Sequence, residues 1–328
     1  MKRKFLFKLI LMISPFFIWL AVELLLLPVN SRLKQFFAVP YIGCTGDGYS
    51  DDTFLADCGV TNYDHAALYY NFHDTDTYLK SSDVLLLGNS RMGFGFSNEE
   101  AKEFFSQKNL KHYYLHFSNG ESSQFPMAIY HRLELEPKMI IVNSQFYFNK
   151  LSRKIGAQIL NSNMYSFYSF SRWFQTLHRS VCGDGSGAFV RKLAAYDPCV
   201  GTSSVFRSRS DGSWIHNVDE VHKNFEMIRA VTNKEYLYSL VGLARNFVAE
   251  TGLPRECIFF TDIPEPEGNA NYGAELAAAT GVPYIDPQVE GLATLDGSHL
   301  DKASAKRWTH EFFQDFQPAF EKCMASRK

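Results

Sequence analysis

The chain has 328 residues and a formal net charge of −2, with 46% hydrophobic and 15% aromatic residues. That length accommodates one large domain beside a membrane anchor, with or without a sizeable insertion. The near-neutral charge excludes a general electrostatic attraction to nucleic acid, so we expect no nucleic-acid partner. The aromatic content indicates a large buried core in preference to a carbohydrate-binding surface.

The N-terminus combines a basic cluster with a long apolar run. Four Lys or Arg residues within positions 2–8 precede Leu9–Val29, which is almost entirely apolar. A helix of that length spans about 31 Å, close to the hydrocarbon thickness of a bilayer. No small-x-small site follows the run, which favours an uncleaved anchor over a signal peptide. The basic cluster stays cytoplasmic, so the sequence predicts a single-pass protein of the cytoplasmic membrane, with residues 1–30 as the transmembrane anchor and the remainder on the extracytoplasmic side.

The six cysteines form an even set, which permits disulfides in an exported chain. Cys44 with Cys58, and Cys182 with Cys199, would close short loops in segments rich in Gly and Asp. Cys257 falls in an apolar strand pattern that is typical of a buried thiol. No Cys-x-x-Cys or His-rich spacing is present, so we expect neither a metal nor a cofactor.

The organisation of the chain changes near residue 80. Residues 31–80 contain Gly-Asp-Gly and Asp-Asp clusters, which indicate a loop-rich lead-in. Residues 81–328 alternate short apolar runs with helical patterns, which predicts a mostly parallel sheet covered by helices on both faces. The alternation of strands and helices is interrupted at about residues 150–232. This stretch is predicted to be an inserted subdomain, a lid or long loops over the site. The predicted strands are Asp83–Leu87, Tyr113–Phe117, Lys138–Val142, Glu256–Thr261 and Pro283–Ile285.

Polar residues follow three of these strands, where sites form in parallel sheets. Ser90 follows the first strand, Gly120 the second and Asn143 the third, while an Asp-Gly-Ser-His sequence precedes the last helix. A serine hydroxyl needs a base and the base needs an orienting group, roles for which His299 and Asp296 are suited. A backbone N–H at Gly120 and the Asn143 amide are then the expected oxyanion donors, beside the serine's own N–H.

Alternatives exist for the individual elements of this site. An Asp-x-x-His pair is a weak signal, and a second one, Asp219…His222, occurs in the insertion. We prefer Asp296…His299 because it lies just before the last helix. Arg91 follows the serine, and it either binds an anionic sugar or carboxylate or forms a structural ion pair.

The pattern resembles the SGNH (GDSL-like) hydrolase superfamily over about residues 83–322, the insertion excepted. The first block resembles Gly88–Ser90, the second-block glycine matches Gly120, the third-block asparagine matches Asn143, and the last block resembles Asp296–His299. The usual Gly-x-Asn-Asp of the third block is absent. The resemblance implies an α/β domain of three layers, α/β/α and flavodoxin-like, with a central parallel sheet.

The asparagine beside the serine and the single anchor are similar to extracytoplasmic members that modify cell-surface polysaccharides, such as alginate acetylation proteins and the D-alanyl-transfer protein of teichoic acid. This resemblance implies acyl transfer to a cell-surface glycan, together with a membrane-bound O-acyltransferase partner. A glycan acyl esterase or deacetylase shares the same triad and differs only in whether water or a sugar hydroxyl attacks. A catalytically silent assembly protein of this fold is the third hypothesis.

Overall fold

The computed structural model describes residues 44–58, 63–118, 121–149, 154–183, 199, 204–216, 223–224, 234–266 and 272–327. All of them belong to one compact unit. The predicted anchor, residues 1–30, lies outside the described residues. Within the residues that are described, no helix is long and apolar enough to cross a bilayer.

Strands and helices alternate through much of the chain. The strands are β1 (Thr53–Asp57), β2 (Val84–Gly88), β3 (His112–His116), β4 (Met139–Asn143), β5 (Val205–Ser208), β6 (Trp214–His216), β7 (Lys223–Asn224), β8 (Ile258–Thr261) and β9 (Ala293–Thr294). The α-helices are α1 (Tyr63–Tyr69), α2 (Asp76–Lys80), α3 (Ser90–Gly95), α4 (Asn98–Ser106), α5 (Gln124–Leu133), α6 (Lys154–Asn161), α7 (Tyr165–His178), α8 (Lys234–Glu250), α9 (Tyr272–Thr280) and α10 (Lys302–Ser326). A π-helical turn, Arg179–Gly183, extends α7, and a 3₁₀ turn, Arg255–Cys257, precedes β8.

The central sheet has four parallel strands in the order β3-β2-β4-β8. Leu85 in β2 pairs with Tyr113 on one side and with Ile140 on the other. A parallel bridge from Phe260 to Tyr284 extends the sheet at the position of the short fifth strand. The predicted parallel sheet is therefore confirmed.

Both faces of the sheet are covered, because alternate side chains of a strand point to opposite faces. Leu85 and Leu87 belong to a core with α1, α5, α8 and α9, whereas Val84 and Leu86 belong to a second core with α3, α4 and α10. The α10 side chains that fill the second core lie on one helical face and are fully buried: Trp308, Phe312 and Phe316. Burial contributes about 1.5–3 kcal/mol for each large apolar side chain. The last helix is thereby fixed against the sheet that carries Ser90.

The lead-in is more ordered than the sequence indicated, since β1, α1 and α2 lie within it. Strand β1 pairs antiparallel with β5, and β5 pairs with β6, so the lead-in and the insertion build one three-stranded sheet. The apolar centre of β1 is buried, and its Gly- and Asp-rich flanks concealed it as a strand. Arg207 of β5 is fully buried and donates a short hydrogen bond to the carbonyl of His116 at the end of β3. The insertion is thus attached to the edge of the central sheet.

Three disulfides are present, and two join the pairs expected from the sequence, Cys44–Cys58 and Cys182–Cys199. The expectation of a buried thiol at Cys257 is wrong, because Cys257 is bonded to Cys323. Helix α10 returns along the sheet and places the two Cα atoms 5.0 Å apart, within disulfide range.

Candidate active site

The turn after β2 presents Ser90 at the carboxyl end of the sheet. Asn89 has extended backbone angles, and its Oδ1 accepts a hydrogen bond from the Arg91 N–H, 3.0 Å away, as an N-cap. Ser90 is therefore the first residue of α3. A Cβ at Gly88 would lie 2.9 Å from the Cβ of Met92, so this tight turn leaves no room for a side chain.

A second turn carries Asp296 and His299 between β9 and α10. The Asp296 Oδ1 accepts hydrogen bonds from the backbone N–H groups of Ser298 and His299, at 2.9 and 2.8 Å. Gly297 has a φ of +88°, a backbone conformation that favours glycine, and its N–H donates to Thr294 Oγ1. The turn therefore fixes the carboxylate beside the imidazole before any substrate binds.

The two turns bring Ser90, His299 and Asp296 together. The Ser90 Oγ lies 3.0 Å from His299 Nε2, and His299 Nδ1 lies 2.7 Å from Asp296 Oδ2. An ionised carboxylate only accepts hydrogen bonds, so Nδ1 carries the proton and Nε2 accepts from the serine hydroxyl. Partial burial raises the pKa of Asp296, but the hydrogen bonds from the side chain and backbone of His299 outweigh burial and lower it. This is the arrangement in which an imidazole acts as general base toward a serine.

The structure describes one of the two predicted oxyanion donors, Asn143. Asn143 has no exposed surface; its Nδ2 donates to Asn89 Oδ1 at 3.2 Å, and its Oδ1 accepts from the Ile263 N–H at 3.2 Å. Asn89 in turn donates to the carbonyl of Gln145. These bonds form a buried bridge between the ends of β2 and β4, and the oxyanion role of Asn143 stays a prediction. Gly120 lies outside the described residues.

Arg91 forms an ion pair, one of the two alternatives for this residue. Its Nη2 contacts the Glu265 carboxylate, and its guanidinium lies 5.2 Å from the ring centre of Phe146. Desolvation by burial lowers the pKa of Arg91 to about 10, although the nearby Asp262 and Asp296 raise it. Arg91 is thus charged at neutral pH and held by a nearly buried carboxylate, while a role in substrate binding stays a prediction.

The insertion contributes an aromatic wall that the sequence did not identify. Phe94, on the helix that begins with Ser90, has its ring centre 4.7 Å from that of His299 and 4.7 Å from that of His216 in β6. Trp214 packs against the same phenyl ring at 5.4 Å and is nearly buried. The four-residue spacing predicts that Phe94 lies one helical turn after Ser90. The proximity of β6 to Phe94 depends on long-range strand pairing, which the local sequence does not show.

A buried charged cluster supports the loop after β3. His65 contacts Asp64 Oδ1 at 2.9 Å through Nδ1 and Glu121 Oε2 at 3.4 Å through Nε2. Burial lowers the pKa of His65, but the two carboxylates outweigh burial and raise it to about 9. Arg207 lies 3.8 Å from Asp64. Since Glu121 directly follows Gly120, this charged cluster fixes one end of the loop that was predicted to supply an oxyanion donor.

Within the part of the chain that the structure describes, no group of three or more His, Cys, Asp or Glu side chains could hold a metal ion. Comparison with protein-family models and with curated proteins gave no match.

Proposed function

We propose that this chain is an extracytoplasmic serine acyltransferase, which passes an acyl group from an ester donor to a hydroxyl of a cell-surface glycan. The observation that carries the proposal is the continuous path from Ser90 Oγ through His299 to Asp296, with contacts of 3.0 and 2.7 Å. Each of these distances lies within the range that proton transfer requires.

The sheet topology supports an SGNH-type domain. The strand order β3-β2-β4-β8, with the Tyr284 bridge beyond β8, is the 2-1-3-4-5 order of flavodoxin-like folds. Helices on both faces give three layers, and the serine follows the strand next to the topological switch point, where such folds bind ligands.

Acylation begins when the Ser90 Oγ attacks the carbonyl carbon of the donor ester while His299 Nε2 takes the hydroxyl proton. The ionised Asp296 stabilises the imidazolium that forms. The oxyanion accepts from the Ser90 N–H and from the predicted donors at Gly120 and Asn143. The bond between the carbonyl carbon and the donor oxygen then breaks, and His299 returns its proton to that oxygen.

Deacylation reverses these roles. His299 removes the proton of a glycan hydroxyl, the sugar oxygen attacks the acyl carbon, and the Ser90 Oγ leaves with the proton that the imidazole returns. Attack by water in the same position would make the protein a glycan acyl esterase, the alternative within the same chemistry.

The location is supported by the chemistry of the cysteines and by the N-terminal sequence. Three disulfides favour an oxidising compartment, and the basic cluster before Leu9–Val29 favours an extracytoplasmic domain on a single anchor. By resemblance, a membrane-bound O-acyltransferase is the proposed source of the acyl group. The silent assembly protein remains the second candidate, because Asn143 is wholly buried and lacks the usual Gly-x-Asn-Asp context.

The test uses the full chain in lipid nanodiscs with a short nitrophenyl acyl ester and, separately, a serine-directed fluorophosphonate. Wild type should show ester cleavage and labelling, and Ser90→Ala should show neither. Ser298→Ala is the matched control, since it removes a nearby hydroxyl and keeps the N–H that Asp296 accepts. An oligosaccharide that becomes acylated in competition with water would favour transferase over esterase. A wild type without cleavage or labelling, even beside a membrane acyltransferase, would support the silent protein.

A further inference from the structure

Helix α7 exposes apolar side chains and buries polar ones. Among the described residues, eight large hydrophobic side chains are exposed, and five of them lie on this helix: Tyr165, Phe167, Phe170, Trp173 and Leu177. Phe170 and Trp173 are 61% and 57% exposed. The spacing of positions 170, 173 and 177 places them on one helical face, and the stripe from 167 to 177 is about 15 Å long. A contiguous apolar surface of this kind marks an interaction site.

The orientation of α7 is fixed by hydrogen bonds on its polar face. The Gln175 Nε2 donates to the carbonyl of Leu55 at 2.6 Å, and His178 contacts the Cys44 carbonyl through Nε2 and the Tyr49 hydroxyl through Nδ1 at 3.1 and 3.0 Å. Turning the aromatic stripe inward would break these bonds and leave buried polar groups unpaired. These hydrogen bonds therefore hold the aromatic stripe of α7 on the exposed side of the helix.

Cys44, the first described residue, lies at the C-terminal end of α7. The Cys44 carbonyl accepts a hydrogen bond from His178 at that end, and a Cβ on Gly46 would clash with the Cys182 carbonyl in the turn that extends α7. Only 14 residues lie between Val29 and Cys44. A chain of that length reaches at most about 50 Å, so a bilayer that held the predicted anchor Leu9–Val29 would be within reach of this end of the helix.

The charge of this part of the chain suits an anionic membrane surface. Residues 145–183 contain no Asp or Glu, whereas the whole chain has a net charge of −2. The same stretch contains five basic residues, Lys150, Arg153, Lys154, Arg172 and Arg179. Arg172 is exposed beside Trp173, whereas Arg179, which follows the helix, pairs with Asp51 across 3.2 Å. Basic residues next to an aromatic stripe are typical of helices that lie in a lipid headgroup region.

We propose that α7 lies in the surface of an anionic lipid bilayer, with the side chains of Phe167, Phe170, Trp173 and Leu177 inserted among the headgroups. Aromatic side chains, Trp above all, prefer this interface. The contact would hold the domain at one height and orientation above the membrane. The proposal does not depend on the acyl chemistry, and its test uses no activity.

The test measures whether lipid reaches Trp173. The chain has four tryptophans, of which Trp19 lies in the anchor sequence and Trp214 and Trp308 are buried in the domain. The full chain carrying Trp19→Phe is placed in nanodiscs of phosphatidylglycerol and phosphatidylcholine, with and without bromine on the acyl chains. Brominated lipid should quench its fluorescence, and that loss should disappear when Trp173→Phe is added. Bilayers should also protect Trp173 from iodide relative to detergent micelles.

The matched control moves the probe to Tyr238, an exposed aromatic residue on α8 outside the stripe. In a Trp19→Phe, Trp173→Phe and Tyr238→Trp chain, iodide should quench and brominated lipid should not. Equal lipid quenching at positions 173 and 238 would overturn the assignment to α7. Protection from iodide without lipid quenching would show that protein covers the stripe, either a second copy or another segment of this chain. Free access of iodide to Trp173 in bilayers would show that purified lipid does not cover it.

Discussion

The Asn143 amide donates a hydrogen bond to the Asn89 Oδ1 across 3.2 Å, which couples the end of β4 to the residue before Ser90. The same oxygen accepts from the Arg91 N–H and so begins α3. Both asparagines are buried, at 0% and 4% exposure. The position of the serine is thus set by a pair of amides that have little or no exposed surface.

This coupling predicts a non-additive pair of variants. Asn89→Ala removes a helix cap and the acceptor of the Asn143 Nδ2, so it should lower the free energy of unfolding by about 2–4 kcal/mol. If Asn143 acts only through Asn89, each single variant should lower kcat by the same factor, and the double variant should lower it no further. Ester cleavage and urea unfolding of the four proteins measure both effects.

A larger effect of the Asn143 variant would support its predicted role as an oxyanion donor. An oxyanion donor typically contributes about 10²–10³-fold to kcat. A loss of that size in Asn143→Ala, on top of the loss seen in Asn89→Ala, would mean that the amide reaches the substrate once it binds.

Asp296→Asn should reduce catalysis by a smaller factor than Ser90→Ala, for which triads lose on the order of 10⁴–10⁶-fold. The asparagine retains an oxygen for the backbone N–H groups of Ser298 and His299, but it no longer stabilises the imidazolium. The rate constant of fluorophosphonate labelling is the measurement, with Ser298→Ala as control. A loss on the order of 10⁶-fold in this rate constant would mean that the carboxylate does more than orient His299 and stabilise its imidazolium.

Short apolar runs were sufficient to predict the central strands, because a strand buried on both faces needs no alternation. The Asp296…His299 pair was also visible, since its three-residue spacing falls within one turn. Contacts that join distant segments of the chain could not be predicted. Pairing of β1 with β5, and the Cys257–Cys323 bond, depend on how whole elements pack, for which the local sequence carries no signal. The Asp64–His65–Glu121 cluster could not be predicted for the same reason, because His65 lies on α1 and Glu121 lies in the loop after β3.

The Cys257–Cys323 disulfide should stabilise the domain more than Cys44–Cys58. It closes a separation of 66 residues against 14, which in the chain-entropy view gives about 4 and about 3 kcal/mol. The double alanine variants of each pair, unfolded thermally in the full chain, should therefore show the larger fall in Tm for the first pair. An equal or smaller fall would indicate that packing of α10 on β8 holds these elements without the covalent bond.

His65 should make stability depend on pH between its unfolded and folded pKa values. Asp64 and Glu121 raise its pKa to about 9, from an unfolded value near 6.5. A raised folded pKa contributes stability that is complete below about pH 6.5 and is lost as the pH rises through about 9. His65→Asn should therefore lower Tm most at pH 6, and its Tm should approach that of the wild type near pH 10. His131→Asn, which alters an exposed histidine 3.5 Å from Glu250, is the matched control and should leave the Tm profile nearly unchanged. If the difference in Tm between His65→Asn and wild type stays constant from pH 6 to pH 10, His65 is neutral in the folded protein. Packing would then account for the effect of the substitution.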